Sequence, residues 1–567
     1  MTGEDFKALL ERCRTSFQQA CEAGWLDAAD AQRLAGVEHA IPADLFLDQA
    51  TRPLVAALFG GTGVGKSSLL NRLAGTEIAR TGAERPTSRE ATLYVHESVA
   101  LADLPADLPL ARVRIFRHSC DAQRQVLWLD APDVDSTAQD NRRAALAWLP
   151  HVDLICYVVT PERYRDDVGW RLLRARGYKH AWVFIVNRWD EGHPRQVEDL
   201  RGILRTAGFD DPLILCTCCR PGRPLPSEDQ FEILRAKLEQ ILRSHGIAEL
   251  TRLGYRARLL DLRSVLAAAE TKLGQAETWE EIAAAAQAAW EKTEDTIRLG
   301  LSWGLRTAAE RVAASGSWLA TLRRGLTSAV LSNAPTRTDE PEGQALGVST
   351  VLDELWDEWA QAKVAAWSDT VELLAGRAGL VPSALRARLG EATASCAEVV
   401  KASLEEAVRG ALARPGTALG RAARRVTGFL MAFLPAAALL WVAWRVVHGY
   451  YLAGTRGEPF LGVDFAVHSA LLVVLAWALP FTADRLLRPS AVRIAHLGLQ
   501  AGLDAGLAGI KERLVGALER AAADAKRHRD ELRALQAKVN GLLVCTPAAR
   551  DPAISRMVVQ TTEAPRL

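Results

Sequence analysis

The sequence predicts an α/β domain, a mostly parallel sheet with helices on both faces, followed by a long all-α region with a two-helix transmembrane hairpin. Three observations carry this. Between Leu54 and about Gly246, short apolar runs alternate with amphipathic stretches of helix length. After Gly246 the strand signals stop, and Ala, Leu, Glu and Arg recur at helical spacing. Two apolar stretches, residues 426–444 and 465–481, are each close to the minimum length for crossing a bilayer core.

The bulk numbers agree. A chain of 567 residues exceeds one ordinary core, so two or three domains are expected. Its 69 basic and 68 acidic residues leave a net charge of +1, which argues against a nucleic-acid partner held by bulk charge. Hydrophobic content is 49% and the mean hydropathy is close to zero, which fits a soluble protein carrying a short membrane part. The nine cysteines include one C-x-x-C spacing, Cys216 to Cys219, with no second such motif to pair with it, and reduced cytosolic thiols are expected. The opening MTGEDFKALLERC lacks a basic-then-apolar signal, so membrane insertion is expected to use internal segments.

In chain order, residues 1–50 read as N-terminal helices, with Phe6, Leu9, Leu10 and Phe17 at helical spacing. Ile41-Pro42 and Arg52-Pro53 punctuate the entry to the α/β domain, residues 51–246. Its strand signals are LVAALF, VLWLD, VDLICYVV, AWVFIVN and PLILC. Residues 247–425 form a helical neck or stalk, broken by an exposed loop at Asn333–Glu342. The hairpin spans 426–483, an amphipathic helix 484–545, and a flexible tail 546–567. The helices before residue 50 and after 246 have apolar stripes that suit either a shared neck bundle or ordinary core packing.

The most specific signal lies after the first strand. Leu54–Phe59 runs into Gly60-Gly61-Thr62-Gly63-Val64-Gly65-Lys66-Ser67, and Ser68 continues into a helix. This is G-x-x-x-x-G-K-S in its strand–loop–helix setting. The glycines let backbone N–H groups turn around phosphates, and the helix N-terminus adds positive partial charge. Lys66 is placed to reach the β- and γ-phosphates, and the Ser67 hydroxyl to ligate Mg²⁺.

The run G-T-G-V-G-K-S-S-L-L-N resembles the first motif of Era-like and dynamin-like GTPases. That resemblance implies an α/β P-loop GTPase domain using GTP and Mg²⁺, and it extends over about Leu54–Gly246. The family's second motif, a Mg²⁺-binding threonine in a loop, falls in ERPTSREAT. Thr87 is the choice there, as metal ligand and catalytic residue beside Lys66, with Ser88 and Thr92 as competitors. The third motif, Asp-x-x-Gly, appears as Asp130-Ala131-Pro132-Asp133. Asp130 is implied to hold Mg²⁺ through a water. Asp133 replaces the family's Gly, a variation similar to that of bacterial membrane-linked relatives. The fourth motif appears as Asn187-Arg188-Trp189-Asp190: Asp190 accepts from guanine N1–H and its amine, Asn187 braces the loop, and Arg188 lies along the base. In the fifth, Thr217-Cys218 stands for Ser-Ala, with a backbone N–H for the guanine carbonyl. Cys216, Cys218 and Cys219 crowd one turn, which makes tetrahedral metal ligation awkward.

Small GTPases often place a water-orienting Gln directly after the third motif; here Val134 stands there. Dynamins carry Ser, and atlastins Arg, at the position of Gly63. Neither side chain is present, and Asp135 and Ser136 are weak substitutes, so slow intrinsic turnover and help from a partner subunit are expected.

The membrane segments are VTGFLMAFLPAAALLWVAW, Val426 to Trp444, and FAVHSALLVVLAWALPF, Phe465 to Phe481. Arg421, Arg424 and Arg425 precede the first, and Arg485 and Arg488 follow the second, which places both outer ends in the cytosol. The connection, about Arg445 to Asp464, then faces the other side. The competing reading is a buried hairpin in a soluble domain. The layout resembles that of mitofusins and atlastins. The expectation is a multi-pass protein of the inner, cytoplasmic membrane with its G domain facing the cytosol. Its partners would be membrane lipids and further copies, as a homo-dimer or oligomer through the G domains, with no nucleic acid. It would remodel or tether membranes. The alternative is a membrane-bound GTP-binding switch, or a low-turnover nucleotide-binding module, that recruits a protein partner.

Overall fold

The computed structural model describes the chain except residues 1–2, 49–51, 80–90, 105–107, 109–112, 132–145, 166–169, 171–172, 174–176, 220–227, 244–245, 315–350, 414–417, 457–461, 488–489, 547–550 and 560–567. Thr87, Ser88, Asp133, Val134, Asp135, Ser136, Arg488 and the Asn333–Glu342 loop therefore lie outside the described residues. The chain divides into two units, one of Met1–Leu273 with Ala525–Leu567, the other of Gly274–Asp524.

The first unit holds a seven-stranded sheet, in the order β3-β2-β4-β1-β5-β6-β7. The strands are β1 (Leu54–Phe59), β2 (Ala91–His96), β3 (Val113–His118), β4 (Val126–Asp130), β5 (Leu154–Val159), β6 (Ala181–Asn187) and β7 (Ile214–Thr217). All neighbours pair parallel except β2 with β4. The five expected strands are there because each is a continuous apolar run suited to burial on both faces; β1 and β6 are buried at every residue. The expectation missed β2 and β3. β3, VRIFRH, is an edge strand whose Arg114 to Arg117 are all exposed, so it lacks the apolar run that marked the others.

Parallel order brings the carboxyl ends of β1, β4, β5, β6 and β7 to one edge, where open α/β sheets bind ligands. Apolar clusters cover both faces; in one, Trp182 stacks on Phe184 with centroids 6.1 Å apart and Phe209 meets Phe184 edge-on at 5.3 Å.

Helices α1 (Gly3–Glu22) and α2 (Ala28–Ala35) open the unit. Phe6, Leu10, Cys13 and Phe17 form the buried stripe of α1, and Phe6 meets Tyr255 edge-on at 6.3 Å. In the sheet layer, α3 (Lys66–Ala74), α4 (Pro194–Thr206) and α5 (Phe231–Arg243) follow strands. Next comes α6 (Gly246–Lys272); its Lys272 ammonium bonds Asp30 at 2.7 Å, and its Glu270 meets Arg533 at 2.6 Å.

Of the stretch expected to be a flexible tail, 546–567, the structure describes Thr546 and residues 551–559. Residues 551–559 are ordered against the starts of β6 and β7: Trp182 N donates to Met557 O at 2.6 Å and Leu213 N to Arg556 O at 3.3 Å. Ile554 and Met557 are fully buried, which supplies an anchor that a short, patternless sequence does not advertise.

The second unit is helical: α7 (Ala276–Ala314), α8 (Glu358–Arg377), α9 (Pro382–Ala394), α10 (Cys396–Ala413), α11 (Ala418–Arg456) and α12 (Val463–Leu487). Helix α13 (Ala491–Val544) begins in this unit, and its residues from Ala525 on count with the first. Trp290 of α7 meets Trp367 of α8 edge-on at 6.0 Å, and the Trp367 indole N–H donates to Ala286 O at 2.9 Å. Helices α11 and α12 are both apolar and long enough to cross a membrane, and only 6% and 11% of their most apolar stretches is buried. Both outrun the expected segments: α11 continues through Val446–Tyr451 despite Gly449, and α12 runs on to Leu487, so the connection is shorter than Arg445–Asp464.

Candidate functional site

The phosphate loop has two positions, Gly60 and Gly65, whose backbone tolerates no side chain. Gly60 has φ +152°, and a Cβ there would stand 2.2 Å from Val158 O. Gly65 has φ +92°, and its Cβ would stand 2.3 Å from the Asn187 amide nitrogen. Both positions need glycine for conformation and for space. Val64 is buried in the core and pins the loop's middle. Lys66 opens α3, is buried, and donates to Gly60 O at 3.0 Å and Gly61 O at 3.2 Å. Its ammonium thus lies along the loop. Ser67 and Ser68 follow in the first helical turn, half-buried. Thr62 O accepts from Arg163 at 3.3 Å. Beyond its chain neighbours, no described atom lies within 4 Å of where a Cβ on exposed Gly63 would stand.

Asp130 ends β4, in register with Leu58 of β1 and Thr92 of β2. Asp130 therefore stands in register with the residue two positions before Gly60. Burial, with Asp130 as a second cause, pushes the nearby Tyr94 hydroxyl up to about 12.

One side chain joins the separate motifs. Asn187, buried at the end of β6, donates from its amide to Val64 O at 2.8 Å. Its amide oxygen accepts from the Thr217 hydroxyl at 3.3 Å and from Cys219 N at 3.2 Å. Arg188 follows in the left-handed region at φ 59°, the one non-glycine residue with positive φ among those described. Such a conformation costs about 1–3 kcal/mol and marks an overdetermined turn. Its guanidinium donates to Gly63 O, so this arginine spans from the base loop to the phosphate loop. Asp190 lies on the short turn Trp189–Glu191, and the Cys218 thiol donates to it at 3.4 Å. The structure thus sets Thr217 against Asn187 and Cys218 against Asp190.

Of the backbone N–H groups at Thr217-Cys218, that of Cys218 donates to Asp229 at 3.1 Å. Asp229 is in turn ion-paired with Arg72 of α3, whose guanidinium also donates to Cys218 O at 2.6 Å and lies 4.0 Å above the Phe231 ring. Gln230 closes the same loop, exchanging bonds of 2.8 and 3.0 Å with the backbone of Cys216. Arg72, Asp229 and Gln230 were missed from sequence. The available signal was an Asp-Gln pair directly before an amphipathic helix, where side-chain acceptors commonly cap backbone N–H groups. Burial pushes the thiols of Cys216 and Cys219 up to about 12 and about 11, so both stay protonated at neutral pH.

Residues 55–188 match the 50S ribosome-binding GTPase family. GTPase Era of Actinobacillus pleuropneumoniae serotype 5b (strain L20) is 27% identical over 139 residues, 24% of this chain and 38% of that protein. The match thus spans well under half the length of that relative. Among solved structures, an oligomerised bacterial dynamin pair described as sensing and tethering membranes aligns over 90% of this chain and 92% of its own, at 12% identity and a TM-score of 0.40. The bacterial dynamin GTPase LeoA from ETEC aligns over 96% and 98%, at 14% identity and a TM-score of 0.24. The α/β part of this chain is a P-loop GTPase domain.

Proposed function

We propose that this chain binds GTP with Mg²⁺, hydrolyses it, and works at a membrane held by α11 and α12, where GTP-dependent self-association remodels or tethers the bilayer. The observation that carries the nucleotide part is the Asn187 clamp: one buried amide holds the phosphate loop, the base-reading strand end and the β7 loop in one frame.

The chain's own groups divide the work. The backbone of Gly60–Gly65 cradles the phosphates, and Lys66 swings from the Gly60 and Gly61 carbonyls to the β- and γ-phosphate oxygens. The donor set of Ser67, Thr87 and Asp130, hard oxygen ligands, suits Mg²⁺. Held by Ser67, Thr87 and Asp130, such an ion would neutralise phosphate charge. Asp190 selects guanine, because adenine lacks the paired donors that its carboxylate accepts. Admitting the guanine carbonyl at Cys218 N requires Asp229 to yield that N–H. The open face at Gly63 is where a partner subunit would supply the missing catalytic group.

Support for the membrane part is the exposure of the hairpin, a far larger apolar surface than the few hundred Å² that soluble monomers leave bare. The arginines at its outer ends favour cytosolic placement of the GTPase domain. Competition binding with GTP, ATP and xanthosine triphosphate on the parent and Asp190→Asn tests base choice; equal affinity of the parent for ATP sinks it. Turnover on liposomes at rising surface density tests self-association, and turnover per chain that stays flat removes that step. Val134 and Gly63, both without a water-orienting side chain, favour a second reading, a membrane-bound switch or low-turnover module that recruits a partner. Negligible turnover at saturating GTP would select it.

A further inference from the structure

At the opposite end of the sheet from the phosphate loop lies a partly open pocket of about 260 Å³, lined by residues of the first unit alone. Leu250 and Leu253 of α6 form one wall, Val152 and Ala181 at the starts of β5 and β6 a second, and Val558 and Val559 of the C-terminal segment a third. The volume lies near the lower end of small-ligand pockets, about 300–1,000 Å³.

The polar lining is specific. Arg258 is 4% exposed and lines the cavity. Its Nη2 donates to Ala40 O and Pro150 O, both at 2.8 Å, which holds the guanidinium in place. Its Nε–H has no acceptor among the described residues. A buried donor left unmatched is costly; with both Nη2 hydrogens spent on carbonyls, the single Nε–H remains to meet one oxygen of a carboxylate. Around the cavity, the charged lining groups and their ion-pair partners are Arg52, Lys179, Arg256 and Arg258 against Glu38, Asp153 and Asp261. Asp153 is occupied by Arg52 in a bidentate pair of 2.6 and 2.8 Å, and Asp261 by Lys179. Glu38 faces Arg258 at 3.9 Å and Lys179 at 3.7 Å, so the surplus of one cation falls on Arg256, whose guanidinium donates to Thr546 O at 2.6 Å; a net charge of +1 around the cavity favours an anion of single charge. The mainly aliphatic walls disfavour a dianion such as a phosphate monoester, whose desolvation costs more.

We propose that this cavity binds a small organic carboxylate with a compact apolar body. Its carboxylate accepts from Arg258 Nε, and its apolar part fills the space between α6 and the C-terminal segment. Because that segment forms one wall, the ligand fastens residues 551–559 to the sheet. The proposal is independent of the GTP and membrane readings.

The test uses the full chain in nanodiscs and 4-fluorophenylacetate as probe, followed by ¹⁹F NMR, with hydrogen exchange at residues 551–559 as a second readout. Saturable binding at one site with slowed exchange is expected. Arg258→Gln should weaken it by about tenfold or more, as loss of a charged hydrogen bond does. That variant also loses the bonds to Ala40 and Pro150 and threatens folding. Val558→Trp therefore serves as the second variant: it fills the cavity from a half-buried wall, leaves Arg258 intact, and should abolish binding. The alcohol 2-(4-fluorophenyl)ethanol should bind about tenfold more weakly than the acid. No saturable binding by the parent, or unchanged binding in Val558→Trp, overturns the site. Equal binding of acid and alcohol overturns the assignment of an anion.

Discussion

Strand β6, AWVFIVN, and the core of helix α12, FAVHSALLVVLAWALPF, are both almost wholly apolar, yet they lie in opposite surroundings. All seven residues of β6 are buried. Along α12, Leu471 is 54% exposed, Val474 58% and Leu479 64%. The strand has a neighbour on each side and apolar layers on both faces. The helix has α11 as its chief neighbour, and two helices side by side leave most of each cylinder bare. At about 25 cal/mol per Å² of apolar surface, such exposure in water is strongly unfavourable. Apolar composition therefore says only that a segment leaves water. The neighbours available within the chain decide whether protein or another medium receives it.

The largest expected effect breaks this comparison directly. Phe184→Asp in β6 should unfold the GTPase domain, since an unpaired carboxylate in a packed core costs more than about 4 kcal/mol. Val474→Asp in α12 should leave that domain's melting temperature unchanged and instead weaken membrane retention, by about 2.5–3.5 kcal/mol for an acid at mid-span. Thermal melts and carbonate extraction of both variants read the difference. If Val474→Asp melts like Phe184→Asp, the hairpin is a core element and the membrane reading is withdrawn.

The next prediction sharpens the same contrast by disabling only the buried half. Lys66→Ala should lower triphosphate affinity by about 10–100-fold, the range for charged hydrogen bonds, while membrane retention stays as in the parent. Fluorescent-nucleotide titration on floated liposomes checks both. A smaller effect is expected at Arg72→Ala, which frees the Cys218 carbonyl and Asp229; GTP affinity should fall by about tenfold with guanine preference blunted. Unaltered affinity would show that the brace is dispensable.

The smallest effect is on pH. Burial raises the thiols of Cys156 and Cys216 to about 12 and that of Cys219 to about 11 in the folded chain, above an ordinary value near 9. A raised pKa means that the folded state holds the proton more tightly. The resulting stabilisation is complete below about pH 9 and is lost as pH climbs through 11–12. Urea midpoints of the GTPase domain should therefore fall from pH 8.5 to 10.5, and Cys156→Val should flatten that slope. A midpoint that rises over this interval contradicts the burial of these thiols.

What the sequence determined by itself is what contiguous residues enforce. Gly60 and Gly65 must be glycine for their own dihedrals, Lys66 and Ser67 follow them on one helix start, and LVAALF precedes them; such a strand–loop–helix is legible because its parts are adjacent. The apolar stretches of the hairpin are legible for the same reason. The tertiary structure decided what depends on distant partners. Arg72 meets Cys218 across 146 positions, and Asp229 across 157, so no local pattern marks them. β3 is a strand because β2 lies beside it; its apolar Ile115 and Phe116 are flanked by Arg114 and Arg117, so it shows no continuous apolar run. Residues 551–559 look like a loose tail until β6 and β7 offer Trp182 N and Leu213 N and a core that admits Ile554 and Met557. Local sequence sets dihedrals and periodicity, whereas burial belongs to the pair of surfaces that meet, and only the folded chain contains both.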